Sequence, residues 1–220
     1  MRYEIKIPIT EENLLLFYSW RDNIRGLKKI HKDRVVNSIY YDEKNLTFAN
    51  DNLIGISERI KTRLRWYNND NNFFYEFKFK KNKIGKKIVI PSSKYLNEVS
   101  FLNLFSHKND EFKSKTLKNK IMQIITKYDL LPTLKVSYNR SYYKFMNKIR
   151  LTFDTPSCFQ ILSYNSKKIK KKDVLFVLEL KFHPDDYMLA QKLISESRFV
   201  PKRFSKYLRG LAINNLASYI

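Results

Sequence analysis

The sequence predicts an α+β fold, an antiparallel eight-stranded β-barrel closed on itself with helices packed outside. Three observations carry this. The stretch Val174 to Lys181 is short, apolar and partly β-branched, the pattern of a buried strand, yet it contains Glu179 and Lys181. Side chains alternate along a strand, so that carboxylate and ammonium share a face. The same Glu-x-Lys spacing recurs at Glu4-Ile5-Lys6 and Glu76-Phe77-Lys78. Charges are seldom buried without a partner or a ligand, so three such strands call for one enclosed, charged space. Finally, about eight strands, mostly joined by short turns, are each charged on one side and apolar or aromatic on the other. Apolar sides turned towards outer helices leave a charged lumen, the reverse of an ordinary soluble barrel.

The elements follow in order. Residues 2–8 read as a strand with Arg2, Glu4 and Lys6 on one face and Tyr3, Ile5 and Ile7 on the other. Pro8 and Thr10 end it, and Thr10 caps a helix with Glu11 and Glu12 in its first turn. Apolar residues at helical spacing run from Leu14 to Leu27. Val35 to Tyr41 is a strand, and 45–52 a short helix or turn. Ile56 to Tyr67 is a strand with Arg59, Lys61, Arg63 and Arg65 on one face. After a polar turn it pairs with Phe73 to Lys80, whose Glu76, Lys78 and Lys80 oppose Tyr75, Phe77 and Phe79. Lys87 to Ile90 is a further short strand, and 92–130 a mostly helical insertion. Pro132 restarts the sheet with Thr133 to Tyr143 and its hairpin partner Lys148 to Asp154. A short strand at Phe159 to Tyr164 and a Lys-rich turn lead to Val174 to Lys181. Helices at Pro184 to Ser197 and Arg203 to Tyr219 close the chain, the latter with Ser205 as a cap.

Length is that of one domain, residues 1–220. A hydrophobic share of 43% excludes general disorder. Lys and Arg number 43 against 21 Asp and Glu, and the net charge of +22 favours a polyanionic partner. Nucleic acid, an anionic membrane surface and polyphosphate all qualify. Many lysines fall in loops, as a Lys-rich composition alone would place them, whereas the arginines are patterned on strands. The single cysteine, Cys158, excludes an internal disulfide and a cysteine zinc cluster. The start runs straight into a charged strand without a signal peptide, and no run approaches the roughly 20 apolar residues of a membrane span. A soluble, cytoplasmic protein is expected.

A lumen of guanidinium and ammonium groups suits phosphate oxygens. Carboxylates there need a hard cation between themselves and phosphate, and magnesium or manganese bridges the two. Phosphoryl transfer asks mainly for positioning and charge neutralisation.

The ordered set Arg2-x-Glu4-x-Lys6, Ser38 to Asp42, Lys61-x-Arg63-x-Arg65-Trp66-Tyr67, Glu76-x-Lys78, Tyr138-x-Arg140, Arg150 to Asp154, Leu178 to Lys181 and Phe204 to Tyr207 resembles the VTC domain. That is the polyphosphate polymerase branch of the CYTH, or triphosphate tunnel metalloenzyme, superfamily, here in its compact bacterial-type form. The resemblance spans nearly the whole chain. It implies an eight-stranded tunnel in which ATP or another triphosphate gives its γ-phosphate to a growing polyphosphate chain, assisted by Mn2+ or Mg2+. By position Glu179 is the implied metal ligand. Arg63, Arg65, Lys78, Arg140 and Arg150 grip phosphates, with Lys6 and Lys181 beside them. Arg203, Ser205 and Lys206 bind phosphate near the last helix, Tyr138 hydrogen-bonds a phosphate oxygen, and Lys61 and Lys87 add phosphate contacts. Asp154 orients Arg150 or meets the metal through water. The related hydrolases carry two glutamates ahead of the lysine; here the first position is Arg2, which fits the polymerase branch.

Plainer roles compete: a buried ion pair for Glu179 and Lys181, a solvated face for the Arg59 to Arg65 stripe, helix capping for Ser205-Lys206, and packing for Tyr138. The scattered histidines His31, His107 and His183 receive no role. Polyphosphate polymerase, triphosphate hydrolase, and a non-catalytic polyphosphate or RNA binder all stay open, with no specific nucleic acid expected. The motifs leave the oligomeric state undecided.

Overall fold

A computed structural model describes residues 2–81, 84–92, 123, 127–162 and 169–217. Its strands are β1 (Tyr3–Ile9), β2 (Leu27–Asp42), β3 (Arg59–Tyr67), β4 (Phe73–Lys81), β5 (Ile84–Ser92), β6 (Leu131–Phe145), β7 (Ile149–Asp154), β8 (Cys158–Ile161), β9 (Lys170–Lys172) and β10 (Phe176–Phe182). Among the described residues four α-helices join them: α1 (Leu14–Asn23), α2 (Thr47–Ile54), α3 (Tyr187–Ser197) and α4 (Lys206–Ile213). All strands belong to one sheet, in the order β1-β10-β7-β6-β2-β3-β4-β5, with β8 on β6 and β9 on β8.

Local chemistry sets several boundaries. The β6–β7 hairpin turns through Met146 and Asn147, both at positive φ, with the Lys148 N–H donating to the Phe145 carbonyl. With Lys148 these two residues make a three-residue connection between the paired Phe145 and Ile149. Helix α1 stops at Asn23, short of the expected Leu27: the chain is extended at Ile24, and Gly26 at φ 87° then leads it into β2. Pro8 stays inside β1, an outer strand where its missing N–H costs no ladder bond.

Helices α1 and α3 cover the convex face of β1, β10 and β7. Phe17 and Trp20 from α1, and Ala190 and Leu193 from α3, are buried with Ile7, Leu151, Leu178 and Leu180. The Phe17 ring stacks on Phe153 at 4.0 Å. Each fully buried side chain of this size contributes about 1.5–3 kcal/mol. The convex side of β2 to β5 forms a second core around Ile39, Leu64, Tyr75, Phe77 and Ile90.

Three expectations are corrected. The sheet is not a closed barrel: β1 and β5 end the strand order, and no ladder joins them among the described residues. The free edge of β1 is engaged elsewhere, since Lys202 N–H donates to the Lys6 carbonyl at 2.9 Å. Helix α4 is not outside. Its Tyr207, Leu208 and Leu211 pack on Tyr40, Leu134 and Val136, which share the face of Arg63. Gly210 permits this approach, because a Cβ there would lie 2.6 Å from Leu134 Cδ2 and Phe159 Cδ1. Finally, part of the expected Lys-rich turn is strand β9. The helical insertion expected over 92–130 lies largely outside the described residues.

Buried Asp42 ties this end of the sheet together. Its carboxylate accepts the N–H groups of Phe48 and Ala49 at the start of α2, and the Tyr207 hydroxyl of α4 at 2.7 Å.

Candidate active site

Register fixes which side chains share the concave face. Lys6 stands opposite Glu179, and Glu4 opposite Lys181. Glu179 faces Thr152, and Lys181 faces Arg150. On the far flank Arg63 faces Glu76, Lys61 faces Lys78, and Lys78 faces Lys87. The flanks meet through side chains, with Lys78 Nζ 3.7 Å from Glu4 Oε2.

Three carboxylate-centred clusters result. In the first, Lys181 Nζ lies 2.5 Å from Glu179 and 3.4 Å from Glu4, while Lys6 Nζ lies 3.0 Å from Glu4 and donates to the Phe204 carbonyl. Burial and the neighbouring Glu179 oppose ionisation of Glu4, but Lys6, Lys181 and Lys78 outweigh them and hold it at about 2. Burial likewise opposes the charge on Glu179, and Lys181, Lys6 and Arg140 drive its pKa well below the ordinary range.

The second cluster centres on buried Glu76. It accepts Arg63 Nε at 2.6 Å and Lys87 Nζ at 2.5 Å, with Arg65 Nη1 3.9 Å away. Burial works against its charge, yet Arg63, Arg65 and Lys87 lower its pKa to about 2. Arg63 also donates to the Tyr40 hydroxyl, and Arg65 to Ser38 Oγ.

The third centres on Asp154, which has no exposed side-chain surface. Arg140 grips it with two bonds of 2.6 and 2.7 Å, and Lys206 Nζ reaches it at 2.8 Å. Both cations lie over the Tyr138 ring, at 5.3 and 4.5 Å from its centroid. Asp154 therefore orients Arg140 and Lys206, not Arg150 as the sequence suggested.

Lys61 is the exception in this pattern. Its ammonium has Ser205 Oγ at 3.4 Å, and burial together with Lys6, Lys78, Arg59 and Arg63 lowers its pKa to about 7. Ser205 occupies the N-cap position of α4 without a side-chain capping bond. Arg203 is exposed, and its guanidinium donates to the Asn52 carbonyl of α2, away from the three clusters. Arg150 is exposed at the rim beside Lys181.

The structure thus brings together Lys6, Lys61, Arg63, Arg65, Lys78, Lys87, Tyr138, Arg140, Glu179, Lys181, Ser205 and Lys206, leaving Arg150 and Arg203 at the margins. Sequence reading missed the holding roles of Glu4 and Glu76, and the partners of Asp154. The signal was available for Glu76, because a hairpin centred on 69–70 sets it opposite Arg63.

Glu4 and Glu179 fit a hard divalent ion. They are acidic oxygens close enough to share the Lys181 ammonium, on a face crowded with cations. Magnesium takes one or two carboxylates and completes its shell with water and substrate oxygens. Among the described residues no group of three or more His, Cys, Asp or Glu could hold a metal.

A curved antiparallel sheet with a cationic concave face defines the class, and known structures share the fold. A candidate adenylyl cyclase from Hippeastrum with a dominant triphosphatase activity aligns at TM-score 0.55 and 12% identity, over 95% of each chain. A protein from Pyrococcus horikoshii OT3 aligns at TM-score 0.50 and 14% identity, over 97% of this chain and 98% of the other. A candidate adenylate cyclase from Vibrio parahaemolyticus aligns at TM-score 0.50 and 11% identity, with the same coverage. No curated protein matches the sequence. The family model of the VTC domain matches residues 2–215, and the chain belongs to that family. Among the described residues no helix is long and apolar enough to cross a membrane.

Proposed function

We propose that the protein is a metal-dependent polyphosphate polymerase that moves the γ-phosphate of ATP onto a growing polyphosphate chain on the concave face. The observation that supports this best is the convergence of Lys6, Arg63, Arg140, Lys181 and Lys206 around four pre-positioned carboxylates, Glu4, Glu76, Asp154 and Glu179. Mn2+ or Mg2+ held by Glu179, with Glu4 beside it, would neutralise charge on the phosphate oxygens. Arg63, Arg65 and Arg140 present forks already fixed by Glu76, Ser38 and Asp154, so little reorganisation accompanies substrate binding. Lys6, Lys78 and Lys181 counter charge beside Glu179, and Lys61, Lys206 and Ser205 do so near α4. Tyr138 supports Arg140 and Lys206, and Lys87, Arg150 and Arg203 supply outer contacts. In the transfer, a terminal oxygen of the chain bonds to the γ-phosphorus, the bond to the β-phosphate oxygen breaks, and ADP leaves. Arg2, in place of the first glutamate of the related hydrolases, favours the polymerase. ATP as donor accords with a cytoplasmic setting.

Triphosphate hydrolysis on the same face is the second reading, favoured by the activity of the Hippeastrum neighbour. Purified protein with γ-labelled ATP and Mn2+ separates the two: long labelled chains support the polymerase, and free phosphate alone supports the hydrolase. Glu179→Gln is expected to cut either turnover by about a hundredfold or more while leaving tripolyphosphate binding in place.

A further inference from the structure

Strand β2 is 16 residues long, but β3 pairs only with its Val36 to Tyr41 portion. The first half overhangs, bonded to β6 on one side and without a ladder on the other among the described residues. Register places Lys28 of this overhang opposite Lys144. Lys144 is opposite Arg150 on β7, and Arg150 is opposite Lys181 on β10. One row therefore crosses four adjacent strands with a cation on each.

Neighbouring strands lie about 4.8 Å apart, and like charges directly opposite one another destabilise a sheet. Lys181 is offset by Glu4 and Glu179. Among the described residues no carboxylate pairs with Arg150, Lys144 or Lys28. The one acid that pairs within the overhang, Asp33, lies 2.9 Å from Lys29 Nζ, and Lys29 is opposite Tyr143, on the other face. Charges on an unpaired edge discourage strand-to-strand association, but that role is met by either sign on either face. It does not call for like charges abreast, in line with Lys181. Beside the row, Arg34 faces Arg140, its guanidinium within 6 Å of the Tyr67 and Tyr142 rings, at 5.9 and 5.8 Å.

We infer that the row Lys181, Arg150, Lys144 and Lys28 is a binding track for a linear polyanion, along which a polyphosphate chain longer than triphosphate leaves the site across the strands. This rests on the reading that the site takes a phosphate chain. A triphosphate occupies the three clusters alone, whereas a longer chain also neutralises the row and releases counterions there. The track thus makes affinity depend on chain length.

The test uses the full chain with three probes: tripolyphosphate, inorganic polyphosphate of several tens of phosphates, and a single-stranded RNA oligonucleotide of similar charge. The variant Lys28→Ala/Lys144→Ala is expected to weaken long-chain polyphosphate binding about tenfold and to leave tripolyphosphate within about twofold. Its plot of log affinity against log salt is expected to be shallower by about 1.4, at roughly 0.7 for each lost phosphate contact on a flexible single strand. The pair Lys28→Arg/Lys144→Arg restores both. Unchanged long-chain binding, equal weakening of tripolyphosphate, or a loss seen with RNA alone overturns the track. If the unmodified protein binds neither phosphate probe, the function proposed above falls too. If it binds tripolyphosphate but gains nothing from a longer chain, only the track falls.

Discussion

Glu76 and Asp154 do their work by holding cations in place. Each is buried and carries charge-assisted bonds that fix an arginine fork before any ligand arrives. Among the described residues Lys61 pairs with no such carboxylate, and its pH response is distinct. Its pKa near 7 means it is charged below that pH and neutral above it. A bound polyanion favours the charged form, so binding above pH 7 takes up a proton. Affinity for tripolyphosphate is expected to fall between pH 7 and 9, by up to about tenfold per unit. Lys61→Arg, always charged, should flatten that slope in calorimetric titrations across the range. The faces of Arg63, Arg65 and Lys78 were legible in the sequence because alternation alone sets them. The partner of Asp154 was not. The family resemblance offered Arg150 or a water-bridged metal, and Arg150 lies four residues away and about 13 Å along the strand, whereas neighbours across a ladder are about 5 Å apart. That geometry is settled by register, which here joins Asp154 to Arg140.

Among the elements, α4 shows what periodicity leaves open. Its apolar stripe of Tyr207, Leu208 and Leu211 is plain in the sequence, but a stripe does not say which side of a sheet it will meet. Here it meets the concave side, and Lys206 reaches Asp154 from that position. Gly210 makes the approach possible, so Gly210→Ala forces Leu134 or Phe159 to shift. A loss of about 1–3 kcal/mol in urea unfolding is expected, with a fall in turnover as Lys206 moves. The missing closure of the sheet was equally hidden. Alternation names the faces of each strand and is silent on whether the first and last strands join. The Lys202 contact that engages the edge of β1 comes from a segment almost 200 residues further along.

At the scale of the molecule, a net charge of +22 is tolerable because the acids that exist are placed where cations crowd. Glu4 and Glu76 have pKa values of about 2 in the folded protein, below their unfolded values. A depressed carboxylate contributes stability above its unfolded pKa and loses it as pH falls through the folded one. For Glu76 the contribution is on the order of 3 kcal/mol. The melting temperature, followed by circular dichroism, is expected to drop steeply between about pH 4.5 and pH 2 and to stay nearly level from 5 to 7. Glu76→Gln should be less stable than the unmodified protein at pH 6, and the gap should narrow towards pH 2.

The contact between Lys78 and Glu4 has a consequence for how a long ligand reaches its seat. A hoop with an unbroken ladder admits a filament only by its tip. Along the described strands this wall is fastened at one flank by an ammonium and a carboxylate, a clasp instead of a weld. On the function proposed above, a polymer would be laid in from the side, and its own negative charge would compete for the ammonium that keeps the clasp shut.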